Sequence, residues 1–147
     1  MGDSFGAPVI GWFTALLQGD ALNAALRAAN LAPFADVQQS WTGVVLNWPT
    51  AAVLYRGTTF DAEITGARME AHVFTIRYGV NGADPDRVMT DAMNYMAAID
   101  GAIQGAVWLP QVTRVFVQQH DYGPMFGDKG RFAKFPEMHL IVEAFEQ

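Results

Sequence analysis

The sequence predicts an α+β domain in which a mixed or antiparallel sheet of about four to five strands carries an N-terminal helix and one central amphipathic helix. Three observations predict it. His72, Phe74, Ile76 and Tyr78 alternate along a run of β-branched and aromatic residues, which gives a strand by its period of two. Val88, Met89, Ala92, Met93, Met96, Ile99 and Ile103 recur at spacings of three and four, which gives a helix with one apolar stripe. Val112, Val115, Phe116 and Val117 then resume strand character, so the stripe has a sheet to lie on.

The elements follow in chain order. Val9, Ile10, Phe13, Leu16 and Leu17 share one side of a helix from Ala7, and Leu22, Leu26 and Ala29 renew the pattern after Gly19-Asp20. This is one broken helix or two short ones, with Asp20 placed to cap the second. Asn30-Leu31-Ala32-Pro33 should end it, because a residue before proline avoids the helical region. Trp41 to Trp48 and Ala52 to Arg56 flank Pro49-Thr50, and form either one interrupted edge strand or two short ones. Thr58 to Met69 is polar, contains Gly66 and should join the Ala52 and His72 strands as a long hairpin whose base extends both.

Asp84-Pro85 supplies an N-cap carboxylate and a first helical residue without an N–H, so the central helix starts there. Gly105 and Pro110 close it. Asp121 to Gly130 reads as loop through its glycines and proline, yet carries Tyr122, Met125 and Phe126. Ala133 to Phe145 reads as a last strand with apolar residues on both faces, as expected of a strand covered on two sides.

Length and composition bound the function. A chain of 147 residues fits one domain, 1–147, with no repeat or linker, and can bury roughly two thirds of its unfolded surface. Half of it is hydrophobic, at 51%, but no run approaches the roughly 20 apolar residues that span a bilayer. Met1-Gly2-Asp3 lacks the basic start of a signal peptide, and Gly11 and Thr14 interrupt the apolar stretch from Pro8 to Leu17, which reads as structure. Absence of cysteine removes disulfides and thiolate chemistry. A net charge of −6 with only nine basic residues disfavours a nucleic-acid surface, since phosphate binding needs clustered Lys and Arg.

No catalytic constellation emerges. His72, His120 and His139 all fall on strands and could gather as a zinc-like site, but none has a ligand partner at metal spacing. His120-Asp121 are strand neighbours that point to opposite faces. Gly127-Asp128-Lys129-Gly130-Arg131 lacks the Gly-Lys-Ser/Thr core of a phosphate loop and precedes a strand. Asp91 and Asp100 read as a solvated helix face, Asp84 as a cap, and the methionines at 89, 93 and 96 as core. No cofactor, metal or enzyme activity is expected.

The order of helix, short β segments, Pro49-Thr50-Ala51-Ala52-Val53-Leu54-Tyr55 strand, His72-Val73-Phe74-Thr75-Ile76-Arg77-Tyr78 strand, Asp84 to Ile103 helix and closing β pair resembles small tail-terminator and head-to-tail joining proteins of tailed bacteriophages. The resemblance covers most of the chain and rests on order and texture. It implies a structural virion protein, assembled in the host cytoplasm into a ring, commonly a hexamer, that caps the tail tube and joins it to the neck. Partners would be further copies, the tube protein and the neck or connector protein, with DNA passing through the lumen without specific binding. The chain's acidic balance would make a lumen that repels phosphate. It supplies no catalytic residues.

Physical features of the chain agree with such a role. Tyr122, Met125 and Phe126 can serve as interface anchors with Lys129 and Arg131 as a polar rim, and Phe60 and Arg68 sit where the long hairpin can reach a neighbour. Two alternatives compete. One is a small α+β binding module for a ligand or peptide, dimerised through its sheet, for which a pocket lined by His72, Tyr78 and Trp108 would speak. The other is a small enzyme relying on His120 or His139 with a carboxylate.

Overall fold

The computed structural model describes residues 6–41, 47–64 and 67–146, with side chains described outside 59–68 and 146. Its element order is α1 (Gly6–Leu17), α2 (Asp20–Ala28), β1 (Asp36–Gln38), β2 (Thr50–Ile64), β3 (Ala67–Gly82), α3 (Pro85–Gln104), β4 (Val112–Asp121), β5 (Phe126–Asp128), β6 (Arg131–Lys134) and β7 (Glu137–Glu146). The α+β class holds, with seven strands instead of four or five. The sheet is mixed because β1 runs parallel to β2 while the other ladders are antiparallel.

β3 is the hub. β2 pairs along one side of it, while β7 pairs with residues 68–77 and β6 with residues 80–82 on the other. β4 adds outside β7. The extra strands arise where the sequence reads as loop: Lys129 and Gly130 both take positive φ, 50° and 76°, the requirement of a two-residue hairpin turn matched to strand twist. Arg131 to Glu146 is two strands, since Phe135-Pro136 interrupts it and proline has no N–H for the ladder. The Pro136 carbonyl still accepts from the Tyr78 N–H at 3.0 Å. Residues 42–46, the middle of the expected Trp41 to Trp48 strand, lie outside the described residues. So do residues 1–5 and the tip of the long hairpin at 65–66.

The three described helices lie on one face of the sheet. Phe74, Ile76 and Tyr78 of β3, Val53 of β2 and Leu140 and Val142 of β7 are buried there with Phe13 and Leu17 of α1, Leu22 and Leu26 of α2, and Met96 and Ile99 of α3. The α3 stripe is Val88, Ala92, Tyr95, Met96, Ile99 and Ile103. Met93, expected in the core, is 50% exposed, because it points about 100° away from Ala92 around the helix. Tyr95 takes the place beside Ala92 and donates its hydroxyl to the Ala32 carbonyl at 2.5 Å. The opposite face of β7, with His139, Ile141, Glu143 and Phe145, is half-buried, and among the described residues no helix packs on it. The described helices thus cover this strand on one side.

Caps fix the helix ends. Asp84 accepts from the Asp86 N–H at 3.0 Å, with Pro85 at the first position. Gly19, not Asp20, occupies the N-cap position of α2; Asp20 lies in the first turn, where its charge meets the positive helix end. Asn30, at φ 58°, ends α2 with Leu31 N–H donating to Leu26 and Asn30 N–H to Arg27, a paired C-terminal capping motif in which asparagine replaces glycine. No helix among the described residues is long and apolar enough to cross a membrane.

Replacing Asp84 by Ala should cost about 1 kcal/mol in urea denaturation, with Asp84→Asn nearly neutral. Stability should also fall in alkali. Burial, then Asp91, pushes the Tyr95 phenol from 10.0 up to about 12, so the folded chain keeps a proton that unfolded tyrosine loses. The Tyr95 contribution is complete below pH 10 and is lost as pH rises towards 12. Melting temperatures across that range should decline less steeply for Tyr95→Phe.

Candidate functional site

Because helices cover one face, three surfaces remain for function: the open sheet face, the β5–β6 hairpin with its preceding loop, and the outer edges of the sheet. The open face collects Leu54 of β2, Val73 of β3, Ile141 and Phe145 of β7 and Phe116 of β4, all half-buried. Its described charges balance. Arg77 donates to Glu137 through Nε at 2.9 Å and lies 2.8 Å away through Nη2, with Arg56 at 3.8 Å from the same oxygen. Arg114 meets Glu143 at 2.6 Å and lies over the Phe116 ring at 4.5 Å. Asp121 accepts from the Gly123 N–H.

The expected anchors separate. Tyr122 and Met125 are half-buried and pack on the core, which burial registers by pushing the Tyr122 phenol up. Phe126 is 54% exposed and leans on Phe135 with ring centroids 5.8 Å apart. Lys129 and Arg131, at and just beyond the hairpin turn, are both exposed. Phe60 and Arg68 lie towards the far end of the β2–β3 hairpin, and their side chains fall outside the described residues. Lys134, three residues beyond Arg131, is buried and donates to the Gly123 carbonyl at 2.6 Å. It therefore braces the loop onto the hairpin.

The three histidines do not gather. His72 lies on the helix-covered face with no exposure, 2.9 Å from the equally buried Glu70 carboxylate, and its Nδ1 is 3.0 Å from the Tyr55 hydroxyl and 3.1 Å from that of Thr58. A histidine, carboxylate and hydroxyl in line are the elements of nucleophilic catalysis. Here, however, His72 and Glu70 have no exposure through which a substrate could reach them, so the group reads as a buried polar tie. Sequence reasoning missed it; the signal was Glu70 two residues before His72 on the same face.

His120 Nε2 contacts Asp100 of α3 at 3.0 Å. His139 lies on the open face, where a ring nitrogen and the carboxylates of Asp121 and Glu137 come within 4.8 Å of one another. These three are the group best placed to hold a metal among the described residues. Arg77 and Arg56 already occupy Glu137 and oppose a cation there. His72, Tyr78 and Trp108 share no pocket: the Tyr78 hydroxyl donates to the Ala92 carbonyl, and Trp108 stacks on Trp12 at 3.8 Å. A groove of about 590 Å³ lies instead between the helices and is lined largely by small residues, among them Ala15, Ala25, Ala98 and Gly101.

No protein-family model matches the sequence, and no curated protein is significantly similar to it. Among solved structures, a chain described as belonging to the virion of a native gene transfer agent particle is similar in fold, with a TM-score of 0.53 at 16% identity. The match covers 90% of this chain and 91% of that one.

His72→Ala should destabilise the fold by about 3 kcal/mol or more, because it breaks a buried polar pair. His120→Ala should cost about 1 kcal/mol or less, because its partner is a partly exposed carboxylate. Equal losses in chemical denaturation would contradict this division of roles.

Proposed function

We propose that the protein is a structural subunit of a tailed phage-like particle, a tail terminator or head-to-tail connector that closes into a ring on the tail tube and joins it to the neck. The observation that carries this reading is the fold likeness, along nine tenths of both chains, to a chain of a gene transfer agent virion. The order of elements along the sequence supports it independently. In this role the chain works by contact, without cofactor or catalysis.

The β5–β6 hairpin is then the contact element towards the next ring, with exposed Phe126 as anchor and Lys129 and Arg131 as rim. The far end of the β2–β3 hairpin, with Phe60 and Arg68, reaches a neighbouring subunit. Tyr122 and Met125 act from behind by holding the loop to the core. The open sheet face would suit passage of DNA by neutrality and not by acidity: Arg56, Arg77 and Arg114 are each held by Glu137 or Glu143, so phosphate meets no free stripe of cations.

Added to polymerising tail tube protein from the same particle, the protein should bind tube ends and arrest growth, seen as a shortened length distribution in electron micrographs. The triple variant Phe126→Ala, Lys129→Ala, Arg131→Ala should weaken arrest at unchanged melting temperature. Tubes that elongate undisturbed in the presence of folded protein would contradict the role.

A further inference from the structure

Resting on the ring reading just given, we propose that subunits join edge to edge, the β4 strand of one copy pairing with the β2 strand of the next so that the sheets run continuously around the ring. Three observations carry the inference. The first is that both ends of the sheet carry incompletely paired strands. Among the described residues, β4, ten residues long, pairs on one side only, with β7, through eight of its residues. At the other end, β1 pairs the outer side of β2 at Thr50, Ala51 and Ala52, and among the described residues no strand pairs that side along 53–64. Tyr55 and Thr58 of that stretch turn their side chains inward to His72.

The second observation is direction. β2 and β7 run one way, β3 and β4 the other, since each successive ladder from β2 to β4 is antiparallel. A second copy related by rotation about an axis along the strands therefore sets its β2 antiparallel to the first copy's β4. The sheet continues with no inversion, and two different patches meet, which is the contact type that closes into rings. Sheet closure also removes edges that would otherwise template aggregation.

The third observation is the shape of the β4 edge. A groove of about 460 Å³ runs beside it, lined by Val115, Val117, Gln119 and His120 of the strand and by Asp100 and Gln104 of α3. β4 contains neither proline nor lysine, the residues that commonly blunt an edge, and its arginine is engaged by Glu143. Its register shifts at Val112/Arg114 and Val117/Gln119, like those of β2 at Tyr55/Gly57 and Phe60/Glu63, bend the strands as a closed sheet requires.

The absence of cysteine allows a clean test. Single variants Thr113→Cys and Gln118→Cys on β4 are mixed under oxidation with size-tagged Leu54→Cys or Arg56→Cys on β2, after melting curves confirm folding. Facing antiparallel residues lie close enough for a disulfide. Mixed β4–β2 disulfides inside rings, with slowed hydrogen exchange of the 112–121 amides on assembly, are expected. Disulfides between β4 copies would overturn the proposal in favour of a two-fold dimer. Rings that form without β4–β2 disulfides and without protection of β4 would overturn edge pairing while leaving the ring reading intact. Absence of rings under all conditions would overturn both.

Discussion

The structure depends on the one-sidedness of β3. From Glu70 to Val80 every second side chain is buried under the helices, while the same strand pairs β2 along one side and β7 and β6 along the other. A slip of one residue would turn Phe74, Ile76 and Tyr78 outward and His72 with them. The register is locked from several directions at once. Phe74 meets Phe13 of α1, Tyr78 reaches the Ala92 carbonyl of α3, and His72 ties Glu70 to Tyr55 and Thr58.

One-sidedness then decides where function can sit. With the helices gathered over one face, the buried histidine and the core tyrosines are withdrawn from solvent, and contact falls to the open face, the hairpins and the edges. Lys134 and Gly123 fasten the loop before β5 to the strand that follows it, so Phe126 and the Lys129 turn project from a braced base. On the proposed reading, an assembly subunit needs such contact elements more than it needs a pocket. The groove between the helices, built largely from small side chains, offers few polar groups to orient a ligand.

Much of this was legible in the sequence where a pattern repeats within one element. Period two at His72 to Tyr78, period near 3.6 at Val88 to Ile103 and the Asp84-Pro85 start each act locally, and each gave its element. What escaped was set by tertiary partners. The β5–β6 hairpin hides among glycines because its turn needs positive φ at Lys129 and Gly130, and lysine does not advertise that conformation. Phe135-Pro136 breaks an otherwise continuous strand pattern, and its partner strand β3 is needed to see that both halves stay in line. Of the residues expected at an interface, Phe126, Lys129 and Arg131 are exposed. Tyr122 and Met125 turn inward because the loop folds back onto Lys134 and the core, which sequence spacing does not encode.

The account stands most directly on the assembly state. Native mass spectrometry across a concentration series, with negative-stain imaging of any large species, reads it in one experiment. The account predicts closed rings of one size, formed by the protein alone or on addition of tube protein. A fixed dimer that ignores tube protein at every concentration would contradict it and favour a binding module that dimerises through its sheet.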